Sequence, residues 1–203
     1  MRPCVGLLLG LGLSLSLNGC FGLLVGGALV AGAAGGASIV HDRRPATTIL
    51  EDHNIAATIY NKFKRYPELS ISTRANITVT SYNKVVLLTG QISTPEARQQ
   101  AAEIARYVGQ VKVVHNELTV APPSSLESRA ADAALTTQVK AALLQITRTP
   151  DLPDFDPTRV KVLTEQGIVY LFGLLQPQEA QAAAETVRQV ARVQQVVTLF
   201  EYI

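Results

Sequence analysis

An internal repeat constrains the fold of this 203-residue chain more than any other feature of its sequence. The segment 76–90 aligns with the segment 159–173 at an offset of 83 residues, which places Gly90 on Gly173. Both segments carry apolar residues at matching alternate positions, a spacing that is typical of β-strands. Because a repeat means that one supersecondary unit occurs twice, we expect two small domains of the same fold.

Each copy of the repeat predicts the element order αββαβ. In the first copy, Ile55, Ile59 and Phe63 recur every four residues, which predicts a helix with one buried face. Two β-rich runs then flank a turn, which Asn83 favours in the first copy and Gly167 in the second, since both tolerate a positive φ. A second helix and a last strand complete the unit. The predicted fold class is α+β, in which each unit is a three-stranded sheet with two helices on one face.

The second copy repeats the helical pattern of the first and extends the alignment upstream. Leu135, Val139 and Leu143 recur every four residues on one face of that helix, and Val139 and Leu143 are predicted to belong to the core. One turn before them, Asp132 falls on Asp52 at an offset of 80 residues. The offsets differ because of a proline-rich segment, 149–157, which is therefore predicted to be a loop.

Charge and composition divide the chain into five segments. Residues 5–40 contain no charged side chain, so every charged residue except Arg2 lies after them. The predicted segments are a lipoprotein signal peptide over 1–19, a lipidated Cys with a Gly/Ala-rich tether over 20–45, a first domain over 46–121, a linker over 122–128 and a second domain over 129–203.

The segment Leu17-Asn18-Gly19-Cys20 resembles the lipobox of bacterial lipoproteins. It ends an apolar run that has the length of a signal-peptide core and is short for a membrane span. The resemblance implies cleavage before Cys20 and covalent attachment of diacylglycerol and an N-acyl chain such as palmitate, with no other cofactor. Phe21 after the Cys, where Asp would retain the protein, implies export to the outer membrane. The body would then face the periplasm from the inner leaflet.

Residues 21–40 admit two interpretations. These residues are uncharged and form a segment that is long enough to cross a bilayer as a helix. They also contain the Gly-x-x-x-Gly spacing of close helix contacts. Their glycines and alanines dilute the hydrophobicity, however, and Arg43 and Arg44 beyond the segment oppose the positive-inside tendency. We expect a tether on or near the membrane, with a transmembrane segment as the alternative.

The two copies resemble the BON domain, a small module of bacterial envelope proteins, over about three quarters of the chain. The likeness is most specific in the second copy, at Leu135-Thr-Thr-Gln-Val-Lys140, Val160-Lys-Val-x-Thr-Glu-x-Gly167, Val169-x-Leu-x-Gly-Leu174 and Glu179-Ala-x-Ala-Ala-Ala184. With the lipobox and the tether, the whole arrangement resembles the dual-BON outer-membrane lipoproteins. This resemblance implies recognition of an anionic phospholipid such as phosphatidylglycerol and a role in envelope integrity.

The resemblance also implies where lipid would bind in the second domain, at the end of its first helix. The corresponding residues of this chain are Arg129, Leu135, Gln138 and Lys140.

A second candidate surface, in the first domain, is predicted from residue chemistry. Its first helix carries Lys62, Lys64 and Arg65 beside Tyr60 and Tyr66. Basic residues near an anionic membrane contribute about 1 kcal/mol each, so three of them bind weakly without an anchor. An ordinary solvated helix face is the alternative interpretation.

The sequence does not have the patterns of an enzyme, a metalloprotein or a nucleic-acid-binding protein. We find no nucleophile elbow, phosphate-binding loop or pair of catalytic carboxylates. The three histidines have no neighbouring Cys or second His, and Asp151, Asp154 and Asp156 lack the spacing of a calcium-binding EF-hand loop. Trp is absent and the basic residues form no stripe, which argues against nucleic acid as a partner.

Two functions remain after these exclusions. One is recognition of anionic phospholipid by a protein anchored to the outer membrane. The other is a scaffold that supports assembly of envelope or outer-membrane proteins without recognising lipid.

Overall fold

The computed structural model describes residues 42–70, 75–147 and 152–203 of the chain. The predicted signal peptide, Cys20 and nearly all of the predicted tether lie outside these residues. All of the described residues lie in one compact unit, which contains both copies of the repeat.

The first domain contains two helices and three strands in the predicted order. They are helix α1 (Ala46–Phe63), strand β1 (Asn76–Tyr82), strand β2 (Val85–Ile92), helix α2 (Pro95–Arg106) and strand β3 (Val113–Val120).

The second domain repeats this order, with a short 3₁₀ turn at Pro157–Arg159 before its first strand. Its elements are helix α3 (Leu126–Ile146), strand β4 (Lys161–Glu165), strand β5 (Ile168–Leu175), helix α4 (Pro177–Arg188) and strand β6 (Gln195–Tyr202).

Each domain has one three-stranded sheet with its second strand in the centre. The sheets have the orders β1-β2-β3 and β4-β5-β6. The first two strands of each sheet form an antiparallel hairpin, and the last strand pairs in parallel with the central one. A parallel neighbour requires a crossover connection, which α2 and α4 supply. The predicted α+β fold class and the αββαβ order are confirmed.

The two hairpin turns have the backbone conformation that the sequence predicted. In the first, Asn83 and Lys84 have φ of 48° and 69°, and in the second, Gln166 and Gly167 have φ of 50° and 75°. Two consecutive central residues with positive φ form the type I′ turn, whose twist matches that of the flanking strands. The same turn therefore sets the register of both hairpins.

The two helices of each domain cover one face of its sheet and build a separate hydrophobic core. Ile55, Ile59 and Phe63 of α1 are at most 3% exposed and pack with Val86 and Leu88 of β2. In the second domain the equivalent cluster is Leu135, Val139, Leu143, Val169 and Leu171. The helical pattern read from the sequence is therefore the core pattern in both copies.

The other faces of the two sheets pack against each other. Side chains alternate between the faces of a strand, so Leu87 of β2 points away from α1 and α2. It forms a third buried cluster with Tyr82, Tyr170 and Phe172. The rings of Tyr82 and Phe172 stack with their centroids 5.6 Å apart. Both faces of each central strand are thus buried.

Two segment boundaries differ from those expected from the sequence. Helix α3 begins at Leu126, inside the predicted linker over 122–128, because the Ser125 side chain caps it by accepting from the Ser128 N–H at 3.1 Å. Residues 42–45 were assigned to the tether, but Arg43 and Arg44 form ion pairs with the folded body.

No helix in the described ranges is both long enough and apolar enough to cross a membrane. The two interpretations of residues 21–40 concern a segment outside those ranges.

Candidate functional site

The structure separates the four residues that were predicted to bind lipid in the second domain. Arg129, Gln138 and Lys140 are exposed on α3. With a rise of 1.5 Å and a turn of 100° per residue, Arg129 and Lys140 share one side of the helix but lie about 16 Å apart. Gln138 projects from the opposite side. These residues therefore do not converge on one surface.

The prediction that Leu135 contacts lipid is wrong for this structure. Its side chain is 4% exposed and belongs to the core of the second domain. It lies at the position that Ile55 occupies in the first domain, where the apolar spacing of the helix directs the side chain towards the sheet.

The basic residues of the first domain lie near a second helix that sequence reasoning did not connect with them. At the end of α1, Lys62, Arg65 and Tyr66 line one side of a groove of about 380 Å³. The opposite side is formed by α2 and the residue after it. We call this depression the α1–α2 groove, and its residues on the second side are Gln100, Glu103, Ile104 and Tyr107.

Tyr107 is the residue of this groove that the sequence analysis missed. It follows α2 directly and is 84% exposed, the largest exposure among the exposed large apolar side chains of the described residues. Tyr66 across the groove is 37% exposed. The available signal was a Tyr placed just after a helix end, but only the fold shows that it lies beside Tyr66.

Two of the residues predicted to belong to this surface do not line the groove. The Tyr60 hydroxyl donates to the Ile77 carbonyl at 3.2 Å and accepts from the Val79 N–H at 3.1 Å, and burial raises its pKa. Tyr60 therefore fixes α1 to β1. Lys64 is exposed outside the groove and donates to the Asn61 side chain at 3.4 Å.

The cations of the groove have no acidic partner among the described residues. Lys62 and Arg65 enter none of the ion pairs found in this part of the chain. Glu103 is the one carboxylate in the groove lining, and it accepts from the Gln99 side chain at 3.0 Å. The local charge is thus positive and available to an anionic ligand.

A second polar cluster lies where the chain enters the folded body. Arg44 is 8% exposed and pairs with Asp42 at 2.7 Å and with Asp52 at 2.6 Å. Its guanidinium lies 3.6 Å from the centroid of the Tyr82 ring. Burial raises the pKa of Asp42, but hydrogen bonds from Arg44 lower it more, so this carboxylate is ionised well below neutral pH.

The neighbouring Arg43 binds the second domain. It donates to both carboxylate oxygens of Glu179, at 2.5 and 2.9 Å, and to the Leu174 carbonyl at 3.1 Å. Glu179 also accepts from the Gln176 N–H at 2.8 Å, which caps α4. Burial raises the pKa of Glu179, but the Arg43 and Gln176 hydrogen bonds outweigh it and the pKa lies below its usual value. Arg43 and Arg44 therefore join the start of the body to both domains.

The described residues offer no arrangement for metal chemistry. No group of three His, Cys, Asp or Glu within these ranges could hold a metal ion. His53 is exposed, His115 is partly buried, and His41 lies outside the described residues. Asp156 accepts from the Thr158 N–H and hydroxyl, which stabilises the 3₁₀ turn.

Comparison with known proteins agrees with the two domains seen in the structure. The family model of the BON domain matches residues 51–122 and 131–203. Each match begins inside the first helix of one αββαβ unit and extends past its last strand.

Two curated proteins are similar to this chain over most of their length. Outer membrane lipoprotein DolP of Haemophilus influenzae is 32% identical over 203 residues, which cover 100% of this chain and 98% of that protein. The 21 kDa hemolysin of Actinobacillus pleuropneumoniae is 32% identical over 163 residues, which cover 80% of this chain and 79% of that protein.

Proposed function

Because the chain belongs to the BON-domain family and is a DolP-like dual-BON protein, we propose that it is an outer-membrane lipoprotein that binds anionic phospholipid and supports envelope integrity. In this proposal the body faces the periplasm from the inner leaflet, and no catalysis is involved. The observation that carries the lipid-binding part is the α1–α2 groove, where exposed tyrosines lie beside cations that have no ion-pair partner among the described residues.

The proposed anchor is Cys20, which follows a signal-peptide core and ends a lipobox-like segment. Diacylglycerol and an N-acyl chain on one residue give several acyl chains, and each buried methylene adds about 0.8 kcal/mol, so the attachment is stable. The relative from Haemophilus influenzae is named an outer membrane lipoprotein, which supports the same assignment here.

Cys20→Ala is expected to remove the protein from the outer-membrane fraction. The variant should incorporate no radiolabelled palmitate and retain its uncleaved signal peptide, because processing of the precursor requires the lipidated Cys. Cys4→Ala is the matched control, since it removes the other cysteine of the chain and should change neither label nor location. Palmitate incorporation into Cys20→Ala would refute the anchor.

The body without its anchor is expected to bind phosphatidylglycerol vesicles but not phosphatidylcholine vesicles. An unlipidated fragment covering residues 33–203 removes the contribution of the anchor and retains the compact unit with its hydrophobic cores. Binding measured by co-sedimentation should fall steeply between 0.05 and about 0.5 M salt, because screening shortens electrostatic attraction to about 10 Å at 0.1 M. Equal binding to both vesicles, or to neither, would contradict anionic-lipid recognition.

The alternative function is a scaffold for envelope proteins. Strand β3 is an edge strand of its sheet and exposes Val113 and Val120, which offers main-chain groups to a pairing partner. If the body binds neither kind of vesicle and crosslinking in cells from a β3 position captures an envelope protein, the scaffold is the better description.

A further inference from the structure

We propose that phospholipid docks on the first domain of this chain, with Tyr66 and Tyr107 entering the membrane interface and Lys62 and Arg65 contacting the headgroups. This inference rests on the proposed function, because it assigns a place to the phospholipid binding proposed above. It differs from the site implied by family resemblance, which lies at the first helix of the second domain.

The two copies of the repeat differ at the residues that line the groove. The alignment that places Phe63 on Leu143 gives the second domain Ala142, Gln145 and Ile146 where the first has Lys62, Arg65 and Tyr66. The residue after α4 is Gln189, in the position of Tyr107. The basic and aromatic side chains of the groove therefore do not belong to the shared fold.

Arg106 shows what the shared fold does require. Its counterpart Arg188 also lies in the last turn of its helix, where a cation complements the partial negative charge of the helix end. Lys62 also lies in the last turn of its helix, but its counterpart Ala142 is uncharged, so the shared fold does not require this cation. Arg65 lies beyond the end of α1, and its counterpart Gln145 is uncharged as well.

The aromatic side chains of the groove are exposed to solvent. Tyr107 is 84% exposed, although removing a ring of this size from water is energetically favourable. Tyrosine is enriched at the boundary between bilayer and water, because its ring enters the apolar region while its hydroxyl remains hydrated. Two exposed tyrosines flanked by cations match the surface of an anionic bilayer.

The proposed anchor brings this surface within reach of the membrane. Helix α1 has 18 residues and is about 27 Å long, and the groove lies at the end remote from Arg44. The 21 residues between Cys20 and Asp42 can span at most about 70 Å. Anchoring also raises the effective concentration of the surface at the bilayer, so a weak site suffices.

A single-tryptophan reporter tests insertion directly, because the chain contains no tryptophan. In residues 33–203, Tyr107→Trp is expected to show a blue shift with phosphatidylglycerol vesicles and quenching by brominated acyl chains. Tyr202→Trp is the matched control, since Tyr202 is 63% exposed on β6 of the second domain. A blue shift at the second reporter and none at the first would overturn the proposal.

Charge removal tests the headgroup contacts. Lys62→Gln with Arg65→Gln is expected to weaken binding to phosphatidylglycerol vesicles at least tenfold, because each juxtamembrane cation contributes about a fivefold gain in affinity. Arg188→Gln with Arg192→Gln removes the same charge from exposed sites of the second domain and should change binding less than twofold. Circular dichroism must show that both doubly substituted proteins are folded.

A gain of binding distinguishes docking from a role in folding. Glu103→Gln removes the carboxylate of the groove and is expected to strengthen binding several-fold. Glu185→Gln is its control, because Glu185 accepts from Gln181 on α4 just as Glu103 accepts from Gln99 on α2. Equal effects of the two substitutions would overturn the proposal.

The outcomes separate this inference from the function on which it rests. If residues 33–203 bind anionic vesicles but lose binding only with Arg129→Gln and Lys140→Gln, the lipid site is in the second domain and the inference is overturned. If the unsubstituted fragment binds no vesicle, phospholipid recognition fails together with it. Binding of an acidic peptide without vesicle binding would identify a protein partner and overturn both.

Discussion

Replacing Gly90 with alanine is expected to lower the free energy of unfolding by about 3–5 kcal/mol. Gly90 has a φ of +110°, which side chains of L-residues rarely adopt. A Cβ placed there would lie 1.9 Å from the backbone oxygen of Asn76. Since β1 pairs with β2 at this point, the methyl group would push the hairpin strands apart and break the adjoining hydrogen bonds. No side-chain rotation relieves a clash with backbone.

Gly173→Ala in the second domain is the matched substitution. Gly173 occupies the same repeat position, but its φ does not lie in the positive region where L-residues are strained, and a Cβ would meet the Arg159 carbonyl and the Leu175 side chain at 3.0 Å. We expect a loss of about 1–2 kcal/mol, because small shifts relieve such contacts. Urea unfolding of residues 33–203 compares the two. Equal losses would show that conformation at Gly90 is not the cause.

The fold was largely predictable from the sequence because each element carries its own local signal. The four-residue spacing on α1 identified the buried face, and the type I′ turns occur where Asn83 and Gly167 were expected to permit positive φ. The repeat strengthened both inferences, since two divergent copies show the same pattern. Local chemistry and global structure agree in this chain, as expected of a natural sequence.

The packing of one sheet on the other was not predicted, although the sequence contains its signal. Strands β2 and β5 are apolar at consecutive positions, whereas a strand with one solvated face alternates. The pattern implied a second buried face on each of these strands but did not show what covers it. The side chains on that face include Leu87, Tyr170 and Phe172. Which surface covers them depends on contacts distant in sequence, and a repeat of single domains does not specify these contacts.

The candidate site was only half predictable for the same reason. The cations at the end of α1 are neighbours in sequence, so their cluster could be identified. Tyr107 comes more than 40 residues later, and only the packing of α2 beside α1 places it in the groove. Conversely, the resemblance in the second domain identified residues that the structure separates or buries. Related sequences share the residues of the core more than those of the surface, so a resemblance predicts the fold better than a binding site.

Replacing Asp52 with alanine is expected to lower the free energy of unfolding by about 3–5 kcal/mol. The Asp52 carboxylate is buried and accepts from the Ser81 hydroxyl and from the N–H groups of Asn83 and Lys84, all within 2.8 Å. It also pairs with Arg44. Its removal leaves the donors of the hairpin turn unsatisfied and a buried guanidinium short of one partner.

Asp132→Ala is the control that the repeat supplies. Asp132 accepts from the N–H groups of Gln166 and Gly167 at 2.8 and 2.9 Å, so it caps its own hairpin as Asp52 does. It has no cationic partner among the ion pairs of the described residues and is less buried. The expected loss is about 1–2 kcal/mol, since solvent can satisfy the freed donors.

The difference between these two losses measures what Arg44 adds to the first hairpin, and a double-mutant cycle isolates it. Arg44→Leu combined with Asp52→Ala should cost less than the sum of the single substitutions, by about 1–3 kcal/mol, because the second change removes a partner that the first had already left unpaired. Additive losses would mean that Asp42 and the Tyr82 ring hold Arg44 without Asp52. Coupling would instead show that Arg44, which lies two residues before the start of α1, is part of the first domain. The segment that enters the folded body would then be fixed to the turn that sets the register of the first sheet.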